Sequence, residues 1–136
     1  MRDKKNGYEK LEIYQLAHAL AVRLHLSLTN LNKSDNFEEG SQIRRSSKSI
    51  SSNIVEAFSR RRYKAEFIKF LVYSHGSCDE TIEHLKLLFE TNSISTDIYN
   101  ELLGEYNILG RKLNSFIKSV ELNHKTESVK SSKSHA

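Results

Sequence analysis

Apolar residues recur along this chain at spacings of three, four and seven, as on one face of an α-helix with about 3.6 residues per turn. The first run opens near Tyr8 and carries Leu11, Ile13, Leu16, Ala17, Leu20, Ala21, Leu24, Leu28 and Leu31. Val22 and Leu26 fall off that stripe and point to a second apolar face. The stretch NLNKSDNFEEG at 30–40 has turn composition and closes the helix, with Phe37 expected to plug the end of the core. A second helix is predicted from Ser41 to Ser59. Its apolar positions are Ile43, Ile50, Ile54, Ala57 and Phe58, and between them stand Ser46, Ser47, Ser49, Ser51, Ser52 and Asn53. Those polar residues are mediocre helix formers, so neighbours rather than propensity must hold this helix. Their small side chains would admit another helix closely.

After Arg60–Tyr63 the third and longest helix is expected from Lys64 to Thr91, roughly 40 Å at about 1.5 Å per residue. Its stripe is Phe67, Phe70, Leu71, Ser74, Cys78, Ile82, Leu85, Leu88 and Phe89. Gly76 lies within it, and a mid-helix glycine predicts a close approach by another backbone. Asn92–Thr96 reads as a turn with Ser95 or Thr96 as N-cap. A last helix follows through Ile98, Leu102, Tyr106, Leu109, Leu113, Phe116, Ile117 and Val120 to about Leu122. Four amphipathic helices with short connections predict an all-α, up-down-up-down antiparallel bundle. It would span residues 8–122, between a mobile N-terminal arm at 1–7 and a disordered Ser/Lys-rich tail at 123–136.

Composition narrows this further. With 136 residues, the chain supports one domain, and its lack of proline removes the strongest helix breaker. The lone cysteine, Cys78, excludes an internal disulfide framework. No apolar run resembles a signal peptide or reaches the ~18 residues of a membrane span, so a soluble, cytoplasmic protein is expected. No glycine-rich phosphate loop joins a strand to a helix.

Charge is unevenly placed. Between Ser41 and Lys64 there are seven cations and one anion, Glu56, a net of +6 in a chain of net +4, so the rest carries −2. Such a patch points to an anionic partner. The candidate nucleic-acid-binding residues are Arg44, Lys48, Arg60, Arg61, Arg62 and Lys64, whose guanidinium and ammonium groups suit phosphate oxygens. The structural alternative is a solvated face with cations favoured at a helix C-terminus. The aromatics beside the patch are only Phe58 and Tyr63, thin support for base stacking.

Arg45, Ser49, Asn53, Ser77 and Glu80 form a second constellation. In an antiparallel pair turning near Arg61, Arg45 would face Ser77–Glu80 and Ser49 would face Tyr73. A buried, satisfied network that sets helix register is expected there, with Arg45 and Glu80 as partners. His75, Cys78, Glu80 and His84 share one helix, yet a di-iron site needs Glu-x-x-His pairs on two helices, so no metal or other cofactor is expected. His18 and His25 read as surface or inter-subunit residues. Cys78 sits on the apolar stripe as a small hydrophobe without an oriented base.

Gln42-Ile43-Arg44-Arg45, Ser49-Ile50, Asn53-Ile54 and Glu56 resemble a QIRRAxxSIxxNIAEG signature. Glu66-Phe67, Phe70-Leu71, Gly76-Ser77 and Glu80 are similar to its downstream EFxxFLxxAxGSxxE element. Both belong to four-helix-bundle proteins encoded in intervening sequences of bacterial large-subunit (23S) ribosomal RNA genes, also called ribosomal-like, and the likeness covers about Tyr8 to Leu122. Ala57 replaces the signature's glycine, which predicts that the second helix runs on toward Arg60. The resemblance implies a ring-like homopentamer. It also implies relatives that serve reverse transcriptases as accessory subunits, a basic surface contacting nucleic acid. Apolar residues off the main stripes (Val22, Leu26, Ile68, Val72 and Leu103) agree with self-association. The expected function is non-enzymatic RNA or ribonucleoprotein binding. The alternative is a protein–protein adaptor, and a metal- or thiol-dependent enzyme is disfavoured.

Overall fold

A computed structural model describes residues 7–29, 31 and 36–123. The arm expected before residue 7, the tail expected after residue 123 and the plug expected of the Phe37 side chain lie outside the described residues. Within them the chain forms four α-helices and no strand: α1 (Glu12–Ser27), α2 (Ser41–Ser59), α3 (Lys64–Glu90) and α4 (Thr96–Asn123). A 3-10 turn, Tyr8–Lys10, precedes α1, and a π-helical turn, Asn36–Gly40, runs into α2.

The first helix begins later than its periodicity predicts, because Leu11 is extended, with φ −73° and ψ 128°. Two contacts hold the preceding 3-10 turn on the helix. The Tyr8 and Tyr14 rings meet edge-on with centroids 4.8 Å apart, and Gln15 Nε2 donates to the Glu9 carbonyl at 2.8 Å. Ser95 is the N-cap of α4, its Oγ accepting the Ile98 N–H at 3.2 Å. The end of α3 is closed by Asn92 at φ 62°. Beside it Ser93 N–H reaches the Leu88 carbonyl at 2.8 Å and Asn92 N–H the Phe89 carbonyl at 3.0 Å, the paired bonds of a Schellman end.

Contacts across the helices establish antiparallel order around the bundle. Arg45 meets Glu80 and Ser49 meets Ser77 between α2 and α3. Phe67 meets Phe116 and Phe89 stacks on Tyr99 between α3 and α4. Glu12 meets Lys112 and Arg23 meets Glu101 between α1 and α4. Packing of α1 on α2 closes the ring of four. The core takes the predicted stripes: Leu20 and Leu24 of α1, Ile43, Ile50 and Ile54 of α2, Leu71, Cys78, Leu85 and Leu88 of α3, and Leu102, Tyr106, Leu109 and Leu113 of α4 are all buried. Ala57 is buried inside α2, which continues to Ser59 as the missing glycine predicts.

The expectation for Gly76 fails. It is exposed, and a Cβ built there would meet nothing within 4 Å. The glycine that does face a neighbour is Gly110 of α4, whose Cβ would stand 3.7 Å from Cys78 Sγ, an ordinary contact.

Candidate nucleic-acid interface and the seam behind it

The interface between α2 and α3 is made of hydroxyls. Ser74 Oγ donates to the Ile50 carbonyl at 2.7 Å, a side chain of one helix bonding the main chain of the next. Such a bond needs the two backbones close together, which small side chains on both permit. One turn away the Ser46 and Thr81 hydroxyls meet at 2.9 Å, and both residues are fully buried. Nearer the surface the Ser49 and Ser77 hydroxyls meet at 2.9 Å, while Asn53 Nδ2 donates to the Ser49 carbonyl at 2.9 Å and to its Oγ at 3.0 Å. Three of the five predicted network residues, Ser49, Asn53 and Ser77, therefore pair across or along the seam, but the register differs. Ser49 faces Ser77, one helical turn from the expected Tyr73, because Ser77 offers a hydroxyl where Tyr73 projects into solvent.

The other two meet each other: Arg45 donates to Glu80 at 3.1 Å, and also to Gln42 at 3.0 Å. The pair is not buried: the side chains are 65% and 42% exposed. It lies on the rim of the seam, where long polar side chains reach outward from positions flanking the hydroxyl layer. Glu80 also approaches His84, whose Nε2 is 3.3 Å from it and whose Nδ1 is 2.8 Å from Glu39 Oε2. Sequence reasoning missed Ser46, Thr81, Glu39 and His84. Ser74, Cys78, Thr81, Leu85 and Leu88 do share one heptad stripe, a signal that would have placed Thr81 inside. His75 contacts Asp79 at 3.6 Å. Among the described residues no group of three or more His, Cys, Asp or Glu side chains converges as metal ligands would.

The core behind the seam holds two titratable groups. Burial pushes the Cys78 thiol up to about 12, with neighbouring Asp79 adding to the effect, and its Sγ lies 3.4 Å from the Tyr106 carbonyl. Tyr106 is fully buried and its hydroxyl meets no partner in hydrogen-bonding geometry. Burial pushes that phenol up as well, Cys78 adds to the shift, and the Ser47 hydroxyl partly offsets it. Ser47 Oγ itself donates to the Arg44 carbonyl at 3.0 Å, and its oxygen keeps acceptor capacity toward the phenol.

The candidate phosphate-binding residues do not form one patch. Arg44 lies near the start of α2 and Lys48 one turn further on, while Arg60–Arg62 stand just past its end, roughly 24 and 18 Å from them along the helix at about 1.5 Å per residue. At the first group Arg44 donates to the Leu28 carbonyl at 3.4 Å and so closes the end of α1. Lys48 is exposed beside an apolar groove of about 410 Å³ between α1 and α2, lined by Ala21, Val22, His25 and Leu26. At the second group Arg60 pairs with Glu56 and Glu66 and lies over the Phe70 ring, its guanidinium carbon 4.5 Å from the centroid. Arg61 stands over Phe58 at 3.9 Å and donates to the Phe58 carbonyl at 2.9 Å. Arg62 lies 5.8 Å from the Tyr63 ring and, among the described residues, meets no carboxylate. Lys64 Nζ donates to the Glu121 carbonyl at 2.7 Å, tying the start of α3 to the end of α4. Arg61, Arg62 and Tyr63 are exposed, so this turn presents guanidinium groups on aromatic supports to solvent.

An antiparallel all-α bundle with a hydroxyl seam, an exposed arginine turn and no converging metal ligands among its described residues defines a class of small helical protein. The chain belongs to the family of 23S rRNA-intervening sequence proteins, whose family model matches residues 9–115. A crystal structure of a protein of unknown function from the S23 ribosomal protein family of Bacteroides thetaiotaomicron is similar, with 30% identity and a TM-score of 0.71. The alignment covers 78% of this chain and 95% of that one. No curated protein matches the chain. Among the described residues no helix is long and apolar enough to cross a membrane.

Proposed function

We propose that the protein is a non-enzymatic helical scaffold that assembles with copies of itself and binds RNA through the α2–α3 turn. The observation that carries the RNA reading is the exposed Arg61-Arg62-Tyr63 run beside Lys64. Arginine planes held on aromatic rings keep their donors oriented, and phosphate contacts from such a turn fix position without reading sequence. The ribosomal-RNA family context supports RNA as the polyanion. Self-association is supported by apolar surface on two different sides. Val22 and Leu26 on α1 are 49% and 63% exposed beside the groove, while Val72 and Tyr73 on α3, diagonally across the bundle, are 49% and 48% exposed. Two unlike patches joined head to tail make a heterologous contact, which closes into a ring when the rotation allows. A homopentamer, in the reducing cytoplasm, is the assembly proposed.

The test is a fluorescence titration of a long single-stranded RNA at two salt concentrations. The Arg61→Ala/Arg62→Ala/Lys64→Ala variant should bind more weakly across unrelated sequences. The slope of log affinity against log salt should fall by about 2, at ~0.7 per lost single-strand phosphate contact. Absence of salt-sensitive binding by the wild-type protein at low salt would overturn the RNA reading and favour a protein–protein adaptor. Light scattering should return a multimer mass, and a monomer at micromolar concentration would remove the ring.

A further inference from the structure

We infer that the RNA taken by the α2–α3 turn is single-stranded, with an unpaired base stacked on the Tyr63 ring and the flanking phosphates met by Arg61, Arg62 and Lys64. This rests on the RNA reading above and adds the class of RNA and the side chain that selects it.

Tyr63 is the most exposed aromatic residue among those described, at 60%. The other rings around the turn are already covered on one side: Phe58 by the Arg61 guanidinium, Phe70 by that of Arg60 and by the edge of Tyr73, and Phe67 by Phe116. Among the described residues the Tyr63 ring meets no other ring. The Arg62 guanidinium stands 5.8 Å from its centroid, at the outer limit of a cation–π contact. The main chain beneath the ring is nevertheless fixed. Tyr63 is the extended residue that opens α3, with φ −110° and ψ 109°. Its N–H donates to the Arg60 carbonyl at 2.9 Å, and its carbonyl accepts the Phe67 N–H at 2.9 Å. The fold thus holds an uncovered aromatic face at a set place beside two exposed arginines, and little backbone order is left to be lost on binding.

A face of this kind discriminates between forms of RNA. In an A-form duplex the bases stack on one another, and the surface displays 2′-hydroxyls, phosphates and base edges. Tyr63 finds nothing there to cover. In a single strand, loop or bulge a base can be splayed onto the ring, and any base serves because each has a π-face. The cations point the same way. Duplex recognition by shape needs contacts spread over successive grooves. Here Arg60 is held by Glu56 and Glu66, while Arg44 and Arg45 are engaged with Leu28 and Glu80. Arg44 and Lys48 also lie roughly 24 and 18 Å from Arg60 along α2. What remains is one turn, enough for a base and the phosphates on either side of it.

Full-length wild type, Tyr63→Phe and Tyr63→Ala test this when titrated with polyuridylate and with a polyadenylate–polyuridylate duplex over a series of salt concentrations. Wild type should bind the single strand more tightly than the duplex. Tyr63→Ala should weaken single-strand binding about 5- to 150-fold, the range for removal of a base-stacking aromatic. Its salt slope should stay unchanged, because no phosphate contact is lost, whereas Arg62→Ala should lower the slope by ~0.7. Tyr63→Phe should bind as wild type does. The chain has six tyrosines and no tryptophan, so RNA should quench tyrosine emission in wild type and quench it less in Tyr63→Phe. Circular dichroism should show equal helix content throughout, since the bonds that open α3 are made by the main chain of residue 63. Single-strand binding by Tyr63→Ala equal to that of wild type, or equal wild-type affinity for duplex and single strand, would overturn the inference and leave the RNA reading standing. A loss in Tyr63→Phe as large as in Tyr63→Ala would overturn stacking as the contact. A wild-type protein that binds neither RNA would end both readings.

Discussion

Replacing Tyr106 by phenylalanine should stabilise this protein. The residue is fully buried in α4, surrounded by the α2 and α3 core, and its hydroxyl lacks a hydrogen-bond partner. In the unfolded chain that hydroxyl is hydrated. On folding it loses water and gains nothing equivalent, a cost of about 1–3 kcal/mol for a buried unsatisfied group. Phenylalanine keeps the ring and its packing and removes only the atom that bears the cost. The expected gain is therefore about 1–2 kcal/mol, a little below the full penalty because the lost oxygen leaves a small void. For a folded unit of this size that corresponds to a rise in Tm of about 4–8 °C. Urea denaturation at fixed protein concentration is the direct assay, since self-association would make stability concentration-dependent. Tyr106→Leu, which also removes the ring, should destabilise by about 2–4 kcal/mol and calibrate the packing contribution. A loss of stability in Tyr106→Phe would refute the reasoning. It would mean that Ser47 or an internal water bonds the phenol, and Ser47→Ala in a double-mutant cycle would separate those two partners.

Two further outcomes follow from the geometry. Cys78, with its thiol raised from 9.0 to about 12 by burial, should resist thiol reagents at neutral pH until the protein unfolds. The unfolded chain ionises this thiol first, so its contribution to stability is fully present below pH 9.0 and is lost as pH rises toward about 12, which alkaline melts of wild type and Cys78→Ala can compare. Rapid labelling of the native protein would contradict the burial. The exposed Arg45–Glu80 pair should contribute less than about 1 kcal/mol, with Arg45→Met, Glu80→Gln and the double variant nearly additive in thermal melts. A single-variant loss of 3 kcal/mol or so would instead indicate a charge stranded in the interior.

The helical stripes were legible because burial on one face of a 3.6-residue repeat leaves its mark at every turn. That is why α2, α3 and α4 end within a residue or so of their expected limits. Details that depend on a second helix were less accessible. The Ser49 register came out one turn away, since sequence separation from a turn does not specify how the turn's four residues advance the chain. Arg45 was expected inside because its partners are small and polar, but a long side chain on a seam's rim swings outward to water. Gly76 shows the limit of reading one residue type: a helical glycine can simply lie on the surface. The basic residues showed the opposite problem, being adjacent in sequence and yet divided by the length of the helix that joins them.

The hydroxyl seam has a bearing on how this interior tolerates change. Where aliphatic side chains meet, a core can trade a leucine for a methionine and shift slightly. Between α2 and α3 the meeting groups are already near the smallest size a side chain can have, and Ser74 is fastened to the main chain opposite. Substitution there has room in one direction only, toward alanine or glycine. A hydrophobicity profile would draw this stretch of α2 on the outside of the molecule, although its inner face is dry.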